Sequence, residues 1–182
     1  MPKVAIGIPK YGLVGGAERF AAELTNACCS RTDLTFQVFA NRWQSDSPCI
    51  GFQKIPIITF PKFLTTLSFA WFVQRRIKLG HFDLVHSHER VFAADIYTMH
   101  GIPHRYWINH IRRKKTMSLY DLATAWVEKQ LVYTGGCGKF IAVSELTRHI
   151  FLKEYPTRMA NIGYSWASYH DNLFIEQEIT TQ

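Results

Sequence analysis

The stretch KVAIGIPKYGLVGGAERFAAELTNACC, residues 3–29, decides the fold. Its apolar residues first alternate, as in a short buried strand over residues 3–8, and then recur at helical spacing over residues 17–28. The pair Gly15-Gly16 lies between these two segments. Glycine at such a junction lets the backbone approach a ligand closely, and the N-terminus of the next helix offers free N–H groups to an anion. The stretch predicts a phosphate or sugar-phosphate site, although most such junctions are only turns. Its spacing fits neither a dinucleotide-binding fingerprint nor a P-loop.

Outward from this unit, strand-like and helix-like segments alternate along the chain. We predict further strands over residues 34–40, 52–59, 83–88, 94–100 and 140–143, and helices over residues 61–79, 118–133 and 144–154. Residues 41–48 and 102–115 are predicted to be loops. The alternation indicates a Rossmann-like α/β domain over residues 1–157, with a mostly parallel sheet and helices on both faces. Residues 158–182 are expected to form an irregular tail, either a weak strand or disorder.

The composition is that of a globular protein whose partners are acidic. The hydrophobic share of 47% and the charged share of 19% exclude a disordered chain, and the net charge of +7 favours nucleic acid, anionic lipid or phosphorylated substrates. The four cysteines lack Cys-x-x-Cys spacing, which predicts reduced, mostly buried thiols. No signal peptide is visible, and the longest apolar stretch, residues 63–73, is too short to span a bilayer. A cytoplasmic location is expected.

Histidines follow two of the predicted strands. His100, followed by Gly101, ends one strand, where its imidazole could hydrogen-bond a sugar hydroxyl or make a structural hydrogen bond. His86 and His88 form a His-x-His pair, so we expect their side chains to point the same way. No third ligand of suitable spacing is apparent, so crevice lining is favoured over a metal site.

A basic and aromatic segment, residues 104–115, contains no acidic residue. It could bind anionic headgroups or phosphorylated acceptors, it could bind RNA, or it could be a solvated loop. The helix predicted near residues 63–78 carries aromatic residues followed by cations. That helix could lie against a membrane or contribute to the core.

Four stretches in order, residues 12–19, 82–88, 95–105 and 140–145, resemble the N-terminal domain of the group 1 (family 4) retaining glycosyltransferases, which have the GT-B fold. The nearest resemblance is to enzymes that build lipopolysaccharide core or related surface glycans. It implies retaining transfer of a hexosyl or heptosyl group from a nucleotide sugar to a glycolipid or glycan acceptor, without a metal ion or other cofactor.

The resemblance also implies roles for individual residues. Gly15 and Gly16 would approach the donor diphosphate, and His100 would hydrogen-bond the transferred sugar near its reacting carbon. The residues expected near the acceptor are Glu18, Arg19, His86 and Arg105. Peripheral docking on the inner face of the plasma membrane is expected through Trp107, Arg112, Arg113, Lys114 and Lys115.

In that family, a second domain of similar size carries most contacts to the nucleotide sugar, and no such domain follows in these 182 residues. We therefore expect the chain to be inactive alone and to work with a separate donor-domain subunit, or to be truncated. The alternatives are a non-catalytic module that binds a glycan or anionic lipid, and a basic nucleic-acid-binding α/β protein. The absence of an RNA-binding motif argues against the last, so nucleic acid is not an expected partner.

Overall fold

The computed structural model describes residues 1–13, 15–29, 33–134, 136–156 and 162–164, the last three by their backbone alone. Nine strands are found in these ranges: β1 (Lys3–Gly7), β2 (Lys10–Tyr11), β3 (Thr35–Ala40), β4 (Arg42–Trp43), β5 (Ile50–Lys54), β6 (Leu84–Ser87), β7 (Ile96–Met99), β8 (Lys139–Ala142) and β9 (Ile162–Tyr164). The helices in the same ranges are α1 (Gly16–Cys29), α2 (Leu64–Gly80), the short α3 (His104–Tyr106), α4 (Leu119–Tyr133) and α5 (Glu145–Glu154). A π-helical segment, Trp107–Ile111, continues α3.

Seven strands form one parallel sheet in the order β5-β3-β1-β6-β7-β8-β9. The chain builds outward from β1 through β3 to β5, and then returns to place β6 on the other side of β1. The direction of strand addition therefore reverses between β1 and β6. The predicted α/β class with a mostly parallel sheet is confirmed.

Helices cover both faces of this sheet. Alternate residues of β1, such as Val4 and Ile6, pack with Ala21 of α1 in one buried cluster. Ala5, which points to the opposite face, belongs to a larger cluster with residues of α2, α4 and α5. Burial on both faces explains why the strand sequences are almost continuously apolar.

Serine residues begin the last two helices, as the sequence predicts. The Ser118 side chain accepts a hydrogen bond from the backbone N–H of Asp121, and the Asp121 carboxylate accepts one from the backbone N–H of Ser118. Ser144 similarly caps α5 by accepting from the N–H of Thr147. These bonds satisfy N–H groups that a helix leaves without partners at its N-terminus.

The structure corrects several local predictions. Residues 41–48 are not wholly a loop, since β4 pairs there with β2 in a two-stranded parallel sheet. Residues 102–115 include α3 and the π-helical segment. The predicted strand over residues 52–59 is shifted, because β5 ends at Lys54. The thiols are free, but none is fully buried and Cys49 is exposed.

The sheet extends beyond residue 157. β9 pairs with β8 and lies at the sheet edge, within the segment for which a weak strand or disorder was expected. The expectation for residues 158–161 and 165–182 falls outside the described residues.

Candidate functional site

The topology places a crevice at the carboxyl ends of β1 and β6. In open α/β sheets, ligands bind where the direction of strand addition reverses, because the loops that leave the two strands diverge there. β1 leads into the glycine-containing turn before α1, and β6 leads directly into His88. Both sequence elements singled out above therefore flank the same reversal point.

The glycine turn is shaped by three glycines with different constraints. Gly12 has a φ of +66°, and a Cβ there would collide with the carbonyl oxygen of Gln44 next to β4. A Cβ on Gly15 would lie 3.0 Å from the carboxylate of Glu18. A Cβ on Gly16 would meet nothing within 4 Å, and the same holds for Gly101. A side chain at Gly12 or Gly15 would therefore disturb the turn, whereas the positions of Gly16 and Gly101 border open space.

Three histidines gather beside this turn. The Nδ1 atom of His88 lies 2.9 Å from the Nε2 atom of His100, and the rings of His86 and His88 are 4.2 Å apart. Phe20, one helical turn after Gly16, makes edge-to-face contacts with His88 and His100 at centroid distances of 5.9 and 5.2 Å. We call His86, His88, His100 and Phe20 the histidine cluster. It connects α1 to the ends of β6 and β7.

The histidine cluster is neutral near pH 7. Burial lowers the pKa of His86 and of His100 to about 4, although Glu89 partly counteracts the shift at His100. Burial and the two neighbouring imidazoles lower the pKa of His88 well below its usual range. Each ring therefore offers one N–H donor and one bare nitrogen acceptor, rather than a charge.

His86 lies within β6, two residues before His88, which follows the end of that strand. His86 is buried, and its Nε2 atom lies 2.8 Å from the hydroxyl of Thr98. His86 contacts Thr98, and His88 contacts His100, in both cases a residue 12 positions later in the sequence. His86 therefore supports the cluster from within the sheet.

The other residues expected near an acceptor do not all lie in one groove. Glu18 lies 4.0 Å from the ammonium of Lys10, and its second carboxylate oxygen is buried without a hydrogen-bond partner. Arg19 is exposed and lines a shallow groove of about 280 Å³ beside Gly12. Arg105 lines a different groove of about 320 Å³, with Trp126, Lys129 and residues at the end of α5. Glu18 thus lies at the turn, whereas Arg105 lies in the groove beside α4 and the end of α5.

The lysine and arginine side chains of the basic segment are exposed, but some of them are already engaged. The guanidinium of Arg112 lies over the Trp107 ring at 5.0 Å, and Lys114 forms an ion pair with Asp121 at 3.3 Å. Arg113 and Lys115 are exposed and make no ion pair or hydrogen bond within the described ranges. The same holds for Arg105, so these three side chains are available to an anionic partner.

A buried charged cluster was missed by the sequence reasoning. Glu128, on α4, is fully buried and accepts hydrogen bonds from Arg90 Nε at 2.7 Å, the Tyr155 hydroxyl at 2.9 Å and the His104 backbone N–H at 3.1 Å. We call Arg90, His104, Glu128 and Tyr155 the Glu128 cluster. It fixes the segment that follows His88 against α4 and α5.

The described part of the chain has neither a helix that could cross a membrane nor a cluster that could hold a metal ion. No helix there is both long and apolar enough to cross a membrane. No group of three or more His, Cys, Asp or Glu side chains within those residues is arranged to hold a metal ion.

A family model for Glycosyltransferase Family 4 matches residues 14–162. The chain belongs to glycosyltransferase family 4. The match begins at the glycine turn and ends in β9, so it includes every element that forms the histidine cluster. No curated protein matches the chain.

A solved structure of WaaG, described as a glycosyltransferase involved in lipopolysaccharide biosynthesis, shares the fold of this family 4 chain. The TM-score is 0.71 and the sequence identity is 19%, over 88% of this chain and 44% of the WaaG chain. The chain thus spans less than half the length of WaaG. At this identity the likeness supports the fold, which is that of the N-terminal half of a GT-B glycosyltransferase.

Proposed function

We propose that the domain is the acceptor-side half of a retaining glycosyltransferase that uses a nucleotide sugar to build lipopolysaccharide or another surface glycan. The observation that carries the proposal is the contact of Phe20, on the helix that follows Gly15-Gly16, with His100 at 5.2 Å. That contact brings together the glycine turn and the end of β7, which belong to two of the stretches that resemble the family. In the reaction, the acceptor hydroxyl would replace the nucleoside diphosphate at the anomeric carbon with retention of configuration.

Within this proposal, Gly15 and Gly16 meet the donor diphosphate. The N-terminus of α1 carries a partial positive charge, which favours a phosphate group there. The open space beside Gly16 and Gly101 leaves room for a ligand to approach the backbone. A side chain at either position would fill part of that space.

His100 is proposed to hydrogen-bond the transferred sugar. Because burial lowers its pKa to about 4, the imidazole is neutral at pH 7 and binds a hydroxyl by hydrogen bonding alone. Glu18, whose buried oxygen has no partner within the described residues, is proposed to accept a hydrogen bond from an acceptor hydroxyl. No metal ion is required in this scheme.

The second wall of the cleft is proposed to come from a donor-binding domain, in the same polypeptide or in a separate subunit. The 182-residue chain alone should then bind an acceptor glycan but transfer sugar poorly. We would titrate the ¹⁵N-labelled chain with core oligosaccharides from lipopolysaccharide and follow its amide signals. Shifts at Glu18, Arg19 and Phe20 are expected, with Lys78 and Leu79 in the last turn of α2 as controls. Robust transfer by the chain alone, detected by mass spectrometry with a panel of nucleotide sugars, would contradict the proposal.

The basic segment is proposed to hold the domain on the anionic inner face of the plasma membrane. Each exposed cation near such a surface contributes about 1 kcal/mol of attraction. Arg113 and Lys115 supply two such cations, and Trp107 an aromatic ring.

Co-sedimentation with phosphatidylglycerol vesicles tests this proposal. We expect the double variant Arg113→Glu/Lys115→Glu to lose binding, and Lys54→Glu/Lys153→Glu, with the same change in net charge, to retain it. Equal loss in both variants would mean that only net charge matters.

A further inference from the structure

The pairing of His88 with His100 leaves the second nitrogen of each ring without a hydrogen-bond partner among the described residues. His88 Nδ1 meets His100 Nε2 at 2.9 Å, while His88 Nε2 is buried and has no hydrogen-bond partner. His88 is 4% exposed, so water does not reach this ring freely. The Nδ1 atom of His100 likewise has no hydrogen-bond partner among the described residues.

Two arrangements of the protons are compatible with the distance between the rings. If His100 Nε2–H donates to His88 Nδ1, the proton of neutral His88 resides on Nε2, which becomes a buried donor without an acceptor. If His88 Nδ1–H donates to His100 Nε2, His88 Nε2 is a bare nitrogen and carries no proton. Buried N–H groups without an acceptor are rarer in proteins than under-satisfied acceptors. The second arrangement is therefore favoured.

We infer that His88 is a positioning residue that holds His100 in the tautomer protonated on Nδ1, so that His100 offers an N–H donor to the ligand. This inference rests on the proposed function in taking His100 as a sugar ligand. A donor at this position selects an acceptor atom on the ligand, either a hydroxyl oxygen or a phosphate oxygen.

The surroundings of the pair hold this arrangement in place. The backbone N–H of His88 donates to the Gly7 carbonyl at 2.9 Å, which anchors His88 to the end of β1. Phe20 contacts both rings, and His86 packs on His88 at 4.2 Å. The Thr98 hydroxyl bonds His86 and makes no hydrogen bond to His88.

Nitrogen-15 NMR of the histidine side chains tests the inference in the unaltered 182-residue chain near pH 7. The spectrum distinguishes a protonated ring nitrogen from a bare one and needs neither donor nor acceptor substrate. We expect His100 to carry its proton on Nδ1 and His88 to carry its proton on Nδ1. A proton on Nε2 of either ring would overturn the inference.

Substitutions at His88 then separate positioning from structure. His88→Asn keeps a side-chain donor near the place of Nδ1, whereas His88→Phe keeps an aromatic ring and removes the donor. We expect His100 to stay protonated on Nδ1 in His88→Asn and to lose that preference in His88→Phe. His149→Asn, at an exposed position on α5, is the control. An unchanged His100 spectrum in folded His88→Phe would overturn the role of His88.

Transfer assays with an added donor-binding domain link the tautomer to activity. We expect His88→Phe to lower kcat by about tenfold or more, and His88→Asn to restore most of it. If the tautomer changes and transfer does not, the structural inference stands and the proposed role of His100 fails. If the wild-type tautomer is reversed while transfer depends on His100, the proposed function stands and the role of His88 fails.

Discussion

The histidine cluster and the Glu128 cluster both draw on the segment between residues 86 and 104, and they differ in how fully their polar atoms are hydrogen-bonded. In the Glu128 cluster, both carboxylate oxygens of Glu128 accept hydrogen bonds from side-chain or backbone donors. In the histidine cluster, one nitrogen of His88 has no partner within the described residues, and nearby Glu18 has a buried oxygen in the same condition.

The difference favours a structural role for the Glu128 cluster and is consistent with the ligand-binding role proposed for the histidine cluster. Buried polar groups are nearly always hydrogen-bonded in native proteins, so those that are not need an explanation. A fully satisfied cluster rigidifies the fold, and leaves no atom for a ligand. The unbonded atoms of His88 and Glu18 lie beside the glycine turn. The topology predicts a ligand crevice at the same place.

Glu128→Gln should produce the largest loss of stability. It leaves the guanidinium of Arg90 without its buried carboxylate, and removing one partner of a buried ion pair costs about 3–5 kcal/mol. Urea denaturation measures the free energy of unfolding. Glu145→Gln is the control, because its ion pair with Arg148 is exposed on α5 and should contribute under about 1 kcal/mol. Equal losses in the two variants would show that Glu128 contributes no more to stability than an exposed ion pair does.

Acidification should destabilise the domain through the histidine cluster. The pKa values of His86 and His100 are about 4 in the folded chain, against a value near 6.5 when the chain is unfolded. Between these values the unfolded chain binds protons that the folded chain does not, so the free energy of unfolding falls as pH falls. We expect a loss of about 1 kcal/mol or more for each histidine between pH 7 and pH 5.

Urea denaturation at the two pH values measures this dependence. His100→Asn should show a shallower dependence on pH, whereas His149→Asn, at an exposed position, should behave as wild type. An unchanged slope in His100→Asn would show that His100 is not held neutral by burial.

Ser118→Ala should have the smallest effect, at the margin of the Glu128 cluster. Burial alone would raise the pKa of Asp121, but hydrogen bonds from Ser118, His104 and Lys114 more than offset this and hold that pKa well below its usual range. Loss of the helix cap costs about 1 kcal/mol, or a fall in Tm of about 2–4 °C for a domain of this size. Thr116→Ala, exposed and two residues upstream, should leave the melting curve unchanged.

Much of the fold could be predicted because local patterns determine it. The alternation of apolar strands and helices gave the parallel sheet, and Ser118 and Ser144 marked helix starts through their own side-chain chemistry. β2 and β4 could not be found in this way, since a two-residue strand has no periodicity. The π-helical segment was missed because it lies within residues 102–115, a stretch whose cationic and aromatic residues resemble a solvated loop.

The candidate site could be predicted only in part. His86 and His88 were expected to share a direction, and their ring contact at 4.2 Å confirms it. A signal for the bond between His88 and His100 was present, because Thr98 and His100 repeat the i, i+2 spacing of His86 and His88 on the neighbouring strand. The Glu128 cluster joins residues 38 positions apart, and no local pattern connects Arg90 with Glu128.

Sugar transfer by the reconstituted pair of this chain and a donor-binding domain tests the central claim most directly. If Gly15-Gly16 and His100 line a sugar-transfer cleft, His100→Ala should lower kcat by about 100-fold while binding of the acceptor oligosaccharide changes little. Transfer by His100→Ala at the wild-type rate would contradict the account. Retained glycan binding with no transfer by any wild-type pair would favour a non-catalytic glycan-binding module instead.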